Sequence, residues 1–263
     1  IQYVNTVFAR IGYRNDFSGV AVRASVDYSD VAHLMDNFSL RPDPGAMNQR
    51  ATFADAKTFG GDISATFDGF GGAISIGLDG ENAEHDVVIT NPNNDEFFVT
   101  PFPDNSMGRI GGFAQWDGDT AGLHLQLGLR ADRHDYDSGE ATLGSVLPMG
   151  PRNLAAAFSA SDLSGHETTV DAVARVWMPS KSGLSWRATL ARKERVPGYI
   201  QRFGWLPINA SGGLADGNIY VGNLNLNPET ALIAEAGFDY ATERAYFRPT
   251  VYVRSIDDYI QGI

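Results

Sequence analysis

The chain has 263 residues, with 20 Lys or Arg against 32 Asp or Glu, so its formal net charge is -12. This acidic balance argues against nucleic acid as a partner, because phosphate binding requires a basic stripe and the basic residues here are scattered. The sequence contains no cysteine, which excludes a disulfide framework and a thiolate metal site within these residues.

Hydropathy alone does not decide whether the chain meets a membrane. No segment approaches the ~18 to 20 unbroken apolar residues that a spanning helix needs. The mean hydropathy is -0.20. A transmembrane barrel has the mean hydropathy of a soluble protein, because each of its strands needs only ~9 to 11 residues, which alternate between apolar and polar. The pattern of residues along each segment therefore has to decide.

The first predicted strands alternate between apolar and polar residues. Residues 20–28 carry Val, Ala and Tyr at even positions against Ala, Arg, Ser and Asp at odd positions. Residues 62–67 and 74–79 alternate in the same way on either side of the glycine-rich segment 68–72, which predicts a hairpin.

The strictest alternation lies between Ala121 and Asp132, where four Leu and an Ala oppose His, Gln, Gly, Arg and Asp. Successive side chains of a strand point to opposite faces, so this strand has two different environments. It follows a predicted strand at 110–116 through a predicted turn at 117–120.

Two further hairpins complete the pattern. They are predicted at 170–178 and 184–190 around a turn at 179–183, and at 232–240 and 247–253 around a turn at 242–243. Pro249 is awkward inside a paired strand because it has no amide hydrogen to donate.

The predicted connections alternate between short and long. Short turns contrast with long segments rich in Asn, Asp, Pro and Gly, which lie at 36–50, 80–107, 136–165 and 195–228. Bacterial outer-membrane barrels have this layout, and aromatic residues near the strand ends would suit interfacial girdles: Tyr28, Trp116, Tyr136, Trp177, Trp186 and Tyr240. The sequence therefore predicts an all-β, antiparallel transmembrane β-barrel segment of roughly ten strands. The alternative is a soluble or surface β-sandwich that acts as an adhesin or binding module.

The segment 192–240 resembles the long loop and following strand of TonB-dependent outer-membrane receptors. An Arg-x-Pro element at Arg195–Pro197 precedes a Gly-Asn-x-x-Leu-x-Pro-Glu element that ends at Glu229, with Leu224 where the receptors often have Pro. The segment 255–260 also resembles the next strand of the family. Within the family, the segment GWLPINASGGLADGNIYVGN is similar to the sequences of the copper receptor subgroup.

The resemblance implies that residues 1–263 are part of a larger barrel domain, with the plug domain and the C-terminal strands absent. It implies a receptor in the outer membrane of a Gram-negative cell that takes up copper by binding it between barrel and plug. Its partners would be outer-membrane lipid, the copper ion and the TonB complex, which acts through the missing plug. A receptor for a ferric siderophore or another chelate is the alternative of the same architecture.

His33 and Met35 are the candidate metal ligands. If the strand that begins at Val20 continues without a bulge, both side chains share the polar face with Arg23, Ser25 and Asp27. Residues two apart on a strand are roughly 6 to 7 Å apart, and a thioether with an imidazole suits copper. The copper receptors that the chain resembles carry such a His-x-Met pair and complete it with a Cys-x-x-x-Met pair in the plug.

The other His and Met residues are weaker candidates for a metal site. The sequence places them in or near predicted loops: His85, His134, His166, Met47, Met107 and Met149. No Gly-x-Ser-x-Gly, P-loop or His-Glu-x-x-His motif is present. We therefore expect no enzyme activity and no catalytic cofactor.

Overall fold

The computed structural model describes residues 2–178, 183–208 and 219–261. In these ranges the chain forms one antiparallel sheet of eleven strands and two short helices. The strands are β1 (Tyr3–Phe17), β2 (Val20–Asp36), β3 (Ala51–Gly69), β4 (Gly72–Asn91), β5 (Asn94–Thr120), β6 (Leu123–Asp137), β7 (Gly165–Met178), β8 (Leu184–Arg195), β9 (Glu229–Ala241), β10 (Tyr246–Phe247) and β11 (Thr250–Asp257). The helices are α1 (Met149–Ser159) and α2 (Tyr199–Phe203), and a single 3₁₀ turn lies at Ala46–Asn48.

Each strand pairs with the next one along the chain from β1 to β9, and β10 and β11 both pair with β9. The β2–β3 register runs from Val20 opposite Phe67 to Asp36 opposite Ala51 without interruption. Among the described residues β1 pairs with β2 alone and β11 pairs with β9 alone, so this part of the sheet has two edges.

The two faces of the sheet differ in chemistry. We call the face that carries Asp79, Arg109 and Arg130 the polar face, and the opposite one the apolar face. On the apolar face, large side chains are exposed even though they lie in the middle of strands, with Ile63, Leu78, Leu129 and Leu190 between 52% and 64% exposed. In the described part of the chain no second sheet covers them, so the β-sandwich alternative is wrong. Such a surface is stable against hydrocarbon rather than water.

The apolar residues of this face form a band that starts at the short turns. We call it the apolar band; its upper limit is marked by Tyr28, Phe59, Ile110, Val170 and Leu190, above which the same face carries charged residues such as Lys57 and Arg133. Four of the predicted girdle residues lie on this face, namely Tyr28, Trp116, Trp186 and Tyr240. The prediction is wrong for Tyr136 and Trp177, which lie on the polar face.

Tight two-residue turns join the strands at the lower end of the band. Ser18–Gly19, Phe70–Gly71 and Ala121–Gly122 all have positive φ at both residues, between 51° and 89°. Such turns match the right-handed twist of a hairpin, and glycine takes the second position at no steric cost. The predicted turn at 117–120 is therefore wrong, because β5 continues to Thr120. The predicted turn at 179–183 lies, except for Gly183, outside the described residues.

Two strand limits differ from the sequence prediction. The predicted long connection at 80–107 is wrong, because β4 and β5 continue through it and meet at Asn91 and Asn94. Above the apolar band these strands no longer have one apolar and one polar face, because residues such as Val99 and Phe102 of β5 are buried against the long connections, so the alternation that marks a strand disappears. Strand β1 was also not predicted, although its residues 7–14 alternate between apolar and mostly polar or small side chains and pair with β2 within the apolar band. The chain does break at Pro249, between β10 and β11, which confirms that this residue is incompatible with a continuous paired strand.

The long connections pack together above the band. Val99 of β5, Ala155 and Phe158 of α1, Phe203 of α2 and Trp205 are all at most 7% exposed and form one cluster, which we call the loop core. It joins the β4–β5 hairpin, the β6–β7 connection and the β8–β9 connection. Both helices lie in these connections, and neither was predicted. Of the described helices, none combines the length and the apolar character that crossing a membrane demands.

Candidate functional site

His33 and Met35 lie near the upper end of β2, on the polar face. The uninterrupted β2–β3 register puts them on the same side as Arg23, Ser25 and Asp27, which confirms the assumption of a regular pleat. His33 is half-buried and Met35 is 36% exposed. Their roles as metal ligands stay a prediction.

The neighbours of the pair are small. His33 lies opposite Val4 of β1 and Ala54 of β3, and Met35 lies opposite Thr52 of β3. Ala54 and Thr52 are shorter than the imidazole of His33 and the thioether of Met35, which share one face of β2. A two-residue pair supplies two of the ligands that copper needs, so further ligands have to come from another segment.

Three of the weaker candidates also occupy strands of the polar face rather than loops. His85 is on β4 and Met107 on β5, so their predicted positions in a long connection are wrong. His134, predicted near a loop, is on β6, which ends at Asp137. His134 Nε2 lies 3.2 Å from the hydroxyl of Thr169 on β7. His166 is at the start of β7, whereas Met47 is in the 3₁₀ turn and Met149 begins α1.

His85 is engaged with the loop above it. Its imidazole stacks on the ring of Tyr199 in α2, with centroids 4.5 Å apart and planes 14° from parallel. Phe102 meets the same tyrosine edge-on at 5.4 Å. Burial lowers the pKa of His85 and raises that of the Tyr199 hydroxyl, because both lose water that would stabilise their charged forms.

In the three described ranges, no group of three or more His, Asp or Glu side chains is arranged to hold a metal ion. Carboxylates on the polar face instead pair with arginines. Asp79 and Asp132 alternate with Arg109 and Arg130 in a four-residue network, in which Arg130 donates to Asp79 at 2.7 and 2.8 Å and to Asp132 at 2.7 Å. Arg109 donates to both aspartates as well. These charges are therefore already paired and are poor candidates for cation binding.

Gly111 makes the space for this network. It lies on the polar face of β5 opposite Asp132, where a Cβ atom would collide with Asp132 Oδ1 and lie 2.6 Å from Arg130 Nη2. Glycine at this position lets the carboxylate of Asp132 and the guanidinium of Arg130 lie against the backbone.

A second ionic contact fixes the β8–β9 connection. Arg202 of α2 is 2% exposed. Its guanidinium donates hydrogen bonds to the carboxylate of Glu167 of β7 at 2.7 Å and to the carbonyl of Leu224 at 3.0 Å. It also lies 3.9 Å from the centre of the Tyr136 ring. A buried arginine of this kind holds the loop in one position because its charge needs these partners. Sequence reasoning missed it, since no local pattern marks Arg202 as different from an exposed arginine.

Glu229 anchors the end of the same connection. Its carboxylate accepts hydrogen bonds from Arg195 Nε and from the backbone N–H of Ile260, each at 2.7 Å. These bonds hold the pKa of Glu229 below its usual range, and the Arg195 bond is the largest cause. Both residues belong to the elements on which the family resemblance was based, so the motif has a structural role.

Comparisons with known proteins agree with this architecture. The solved structure of the copper transporter OprC is similar, with a TM-score of 0.73 and 22% identity over 97% of this chain and 39% of that chain. The siderophore receptor PirA from Acinetobacter baumannii gives a TM-score of 0.55 and 11% identity over 97% of this chain and 35% of that chain. At these identities the similarity shows the fold, and the chain spans well under half the length of either protein. A search of curated proteins finds no match to the chain.

The family model described as TonB dependent receptor-like, beta-barrel, matches residues 2–263. This match covers almost the whole chain and confirms the predicted antiparallel transmembrane-barrel architecture. The chain therefore belongs to the TonB-dependent receptor β-barrel family.

Proposed function

We propose that this chain is part of an outer-membrane receptor of a Gram-negative cell that takes up copper with energy supplied through TonB. The observation that carries the proposal is the pair His33 and Met35, which present an imidazole and a thioether on the polar face of one strand. Membership of the receptor family supplies the transport role. The thioether favours Cu(I), and imidazole also suits copper.

The remaining ligands would come from a plug domain that sits against the polar face. The copper receptors that the sequence resembles carry a Cys-x-x-x-Met pair there, and a cysteine thiolate with a second thioether would complete a soft site. Residues 1–263 would then form part of the barrel domain, and TonB would act on the plug rather than on these strands. Similarity to the copper transporter OprC agrees with this proposal.

Copper binding by the intact receptor tests the proposal. We expect the double variant His33→Ala with Met35→Ala to lower the affinity for Cu(I) at least about tenfold, equivalent to 1.4 kcal/mol. Ser29→Ala is a matched control, because Ser29 shares the polar face of β2 and carries neither an imidazole nor a thioether. Unchanged copper stoichiometry and affinity in the double variant would remove the site.

A receptor for a ferric siderophore is the second candidate, and similarity to the siderophore receptor PirA favours it. Siderophores present a large chelate rather than a bare ion, so they need no soft ligand pair. The sequence of a plug domain in the full-length receptor would distinguish the two, since a Cys-x-x-x-Met pair there favours copper. Uptake of radiolabelled ferric chelate by cells, unaffected by the His33 and Met35 substitutions, would favour the siderophore receptor.

A further inference from the structure

Three hydrogen-bond donors lie side by side on β1, β2 and β3, near the lower end of the polar face. Arg14 of β1 is directly opposite Arg23 of β2, and Arg23 is directly opposite Ser64 of β3. Residues that are directly opposite on paired strands point to the same face of the sheet, so all three belong to the polar face with Ser25 and Asp27. We call these three residues the donor row.

The polar groups directly above and below the donor row are engaged with each other. Above it, the hydroxyl of Ser25 donates to Asp62, and Arg10 donates to Ser25 at 2.9 Å. Below it, the carboxylate of Asp16 accepts a hydrogen bond from the backbone N–H of Gly19 at 3.0 Å. The two carboxylates that neighbour the row therefore already have partners.

The donor row itself lacks such partners. In the part of the chain that the structure describes, the side chains of Arg14, Arg23 and Ser64 make no hydrogen bond and no ion pair with another residue. Both arginines are exposed. Like charges directly opposite on neighbouring strands destabilise the pair, although the chain as a whole has a net charge of -12. Two facing arginines without a carboxylate between them are a place for an anion.

The charge and the donors of the row fit a tetrahedral dianion. Each guanidinium presents five N–H donors in a planar fork that matches phosphate oxygens, and the hydroxyl of Ser64 adds one more. A phosphate group carries about two negative charges near pH 7, which balance the two arginines, and its oxygens are numerous enough for both forks. A single carboxylate has two oxygens and one charge, so it leaves one guanidinium unbalanced.

We propose that the donor row binds a phosphate dianion on the inner, polar face of the barrel, either as inorganic phosphate or as the terminal group of a phosphate monoester. The site is separate from the proposed copper ligands, because Arg23 and His33 are ten residues apart on β2, or ~33 Å. The proposal therefore stands independently of copper uptake.

Binding of radiolabelled inorganic phosphate to the intact receptor, measured in detergent by equilibrium dialysis at constant ionic strength, tests the proposal. We expect saturable binding of one phosphate per receptor, with acetate competing at least about tenfold more weakly than unlabelled phosphate. Glycerol phosphate distinguishes the two sources, since a monoester site binds it more tightly than inorganic phosphate and a site for the free ion binds it less tightly. Absence of saturable binding, or equal competition by acetate, would overturn the proposal.

Substitutions on the polar face assign the binding to the donor row. Arg14→Gln and Arg23→Gln each remove charge-assisted hydrogen bonds and should weaken phosphate binding at least about tenfold, and Ser64→Ala should weaken it less. Arg175→Gln is the matched control, because Arg175 is also exposed on the polar face but lies on β7, where it donates to Gln126 at 3.1 Å. Wild-type phosphate affinity in both donor-row arginine variants would refute the assignment.

Two further measurements separate this site from other roles of the arginines. Urea unfolding midpoints of the four variants should equal that of the wild type, and their Cu(I) binding should be unchanged. If both donor-row arginine variants are destabilised and the wild type binds no phosphate, the arginines pair with a carboxylate of the plug domain or of another strand, and the phosphate site does not exist.

Discussion

His85 and Tyr199 stack with their ring planes 14° from parallel, and this contact joins α2 in the β8–β9 connection to a strand four places away in the sheet. The imidazole is on the polar face of β4, above the apolar band, where burial lowers its pKa. The stacked state therefore favours the neutral ring.

We expect the docking of α2 to weaken as the pH falls below about 6.5, the ordinary value for histidine. The free imidazole binds a proton in this range more readily than the stacked one, so the contribution to stability is complete above pH 6.5 and is lost toward the lowered folded pKa. Hydrogen exchange of residues 199–205, expressed as protection factors relative to the intrinsic exchange rate at pH 7.5 and at pH 5, measures this effect. His85→Phe keeps an aromatic ring and should abolish the pH dependence of the protection factors, whereas equal protection factors at both pH values in the wild type would contradict the prediction.

Substitution of Gly111 should damage the arginine–aspartate network. Gly111→Ala places a methyl group against Asp132 and Arg130, and a displaced or unpaired buried charge costs about 3–5 kcal/mol at the upper limit. We expect a loss of about 2–4 kcal/mol on that scale, measured by urea unfolding in detergent. Gly12→Ala is the control, because a Cβ there meets nothing closer than 3.9 Å; similar losses in both variants would show that the network is not responsible.

The Arg195–Glu229 contact should make the β8–β9 connection sensitive to acid. The pKa of Glu229 is lowered in the folded state, so its contribution to stability is present above the ordinary glutamate value of about 4.3 and is lost as the pH falls through the lowered value. Glu229→Gln should remove this dependence below about pH 4.3. The unfolding temperature of the wild type and of the variant, measured across that pH range, tests the prediction. An equal decrease of the unfolding temperature with falling pH in both proteins would contradict it.

Substitution of Arg202 alone should destabilise the protein more than substitution of Arg202 together with its partner Glu167. Arg202→Met leaves the carboxylate of Glu167 without its ion pair, and breaking a buried pair costs about 3–5 kcal/mol. The double variant with Glu167→Leu should recover at least about 1 kcal/mol, because no buried charge then remains unpaired. Limited proteolysis of the β8–β9 connection measures the local loss, and additive effects of the two substitutions would exclude the coupling.

Apart from β1, the sequence predicted the strands where the apolar face meets hydrocarbon and missed their extensions above the apolar band. Leu123 to Leu129 alternate strictly because lipid is on one side and polar residues on the other. Strands β4 and β5 extend well above the band, and there the pattern contains no hydrophobic period to read. The position of the β5–β6 turn also escaped prediction, since Asp117–Thr120 and Ala121–Gly122 both carry turn-forming residues, whereas the β3–β4 turn at Phe70–Gly71 lies within the predicted segment 68–72.

The candidate site was also predicted only in part. The shared face of His33 and Met35 follows from a spacing of two residues on a regular strand, which sequence alone supplies. The stacking of Tyr199 on His85 and the burial of Arg202 depend on the path of a long connection across the sheet. No local pattern specifies such contacts between residues more than a hundred positions apart, as for His85 and Tyr199.

The uninterrupted order of the strands bears on how the polypeptide enters the bilayer. From β1 to β9 every strand pairs with the strand that follows it in the sequence. Each hairpin can therefore form its hydrogen bonds between segments that are close in the chain. Contacts of short sequence separation close quickly and at low entropic cost. Insertion can thus proceed by successive addition of hairpins, each one shielding the exposed amides of its predecessor from the hydrocarbon.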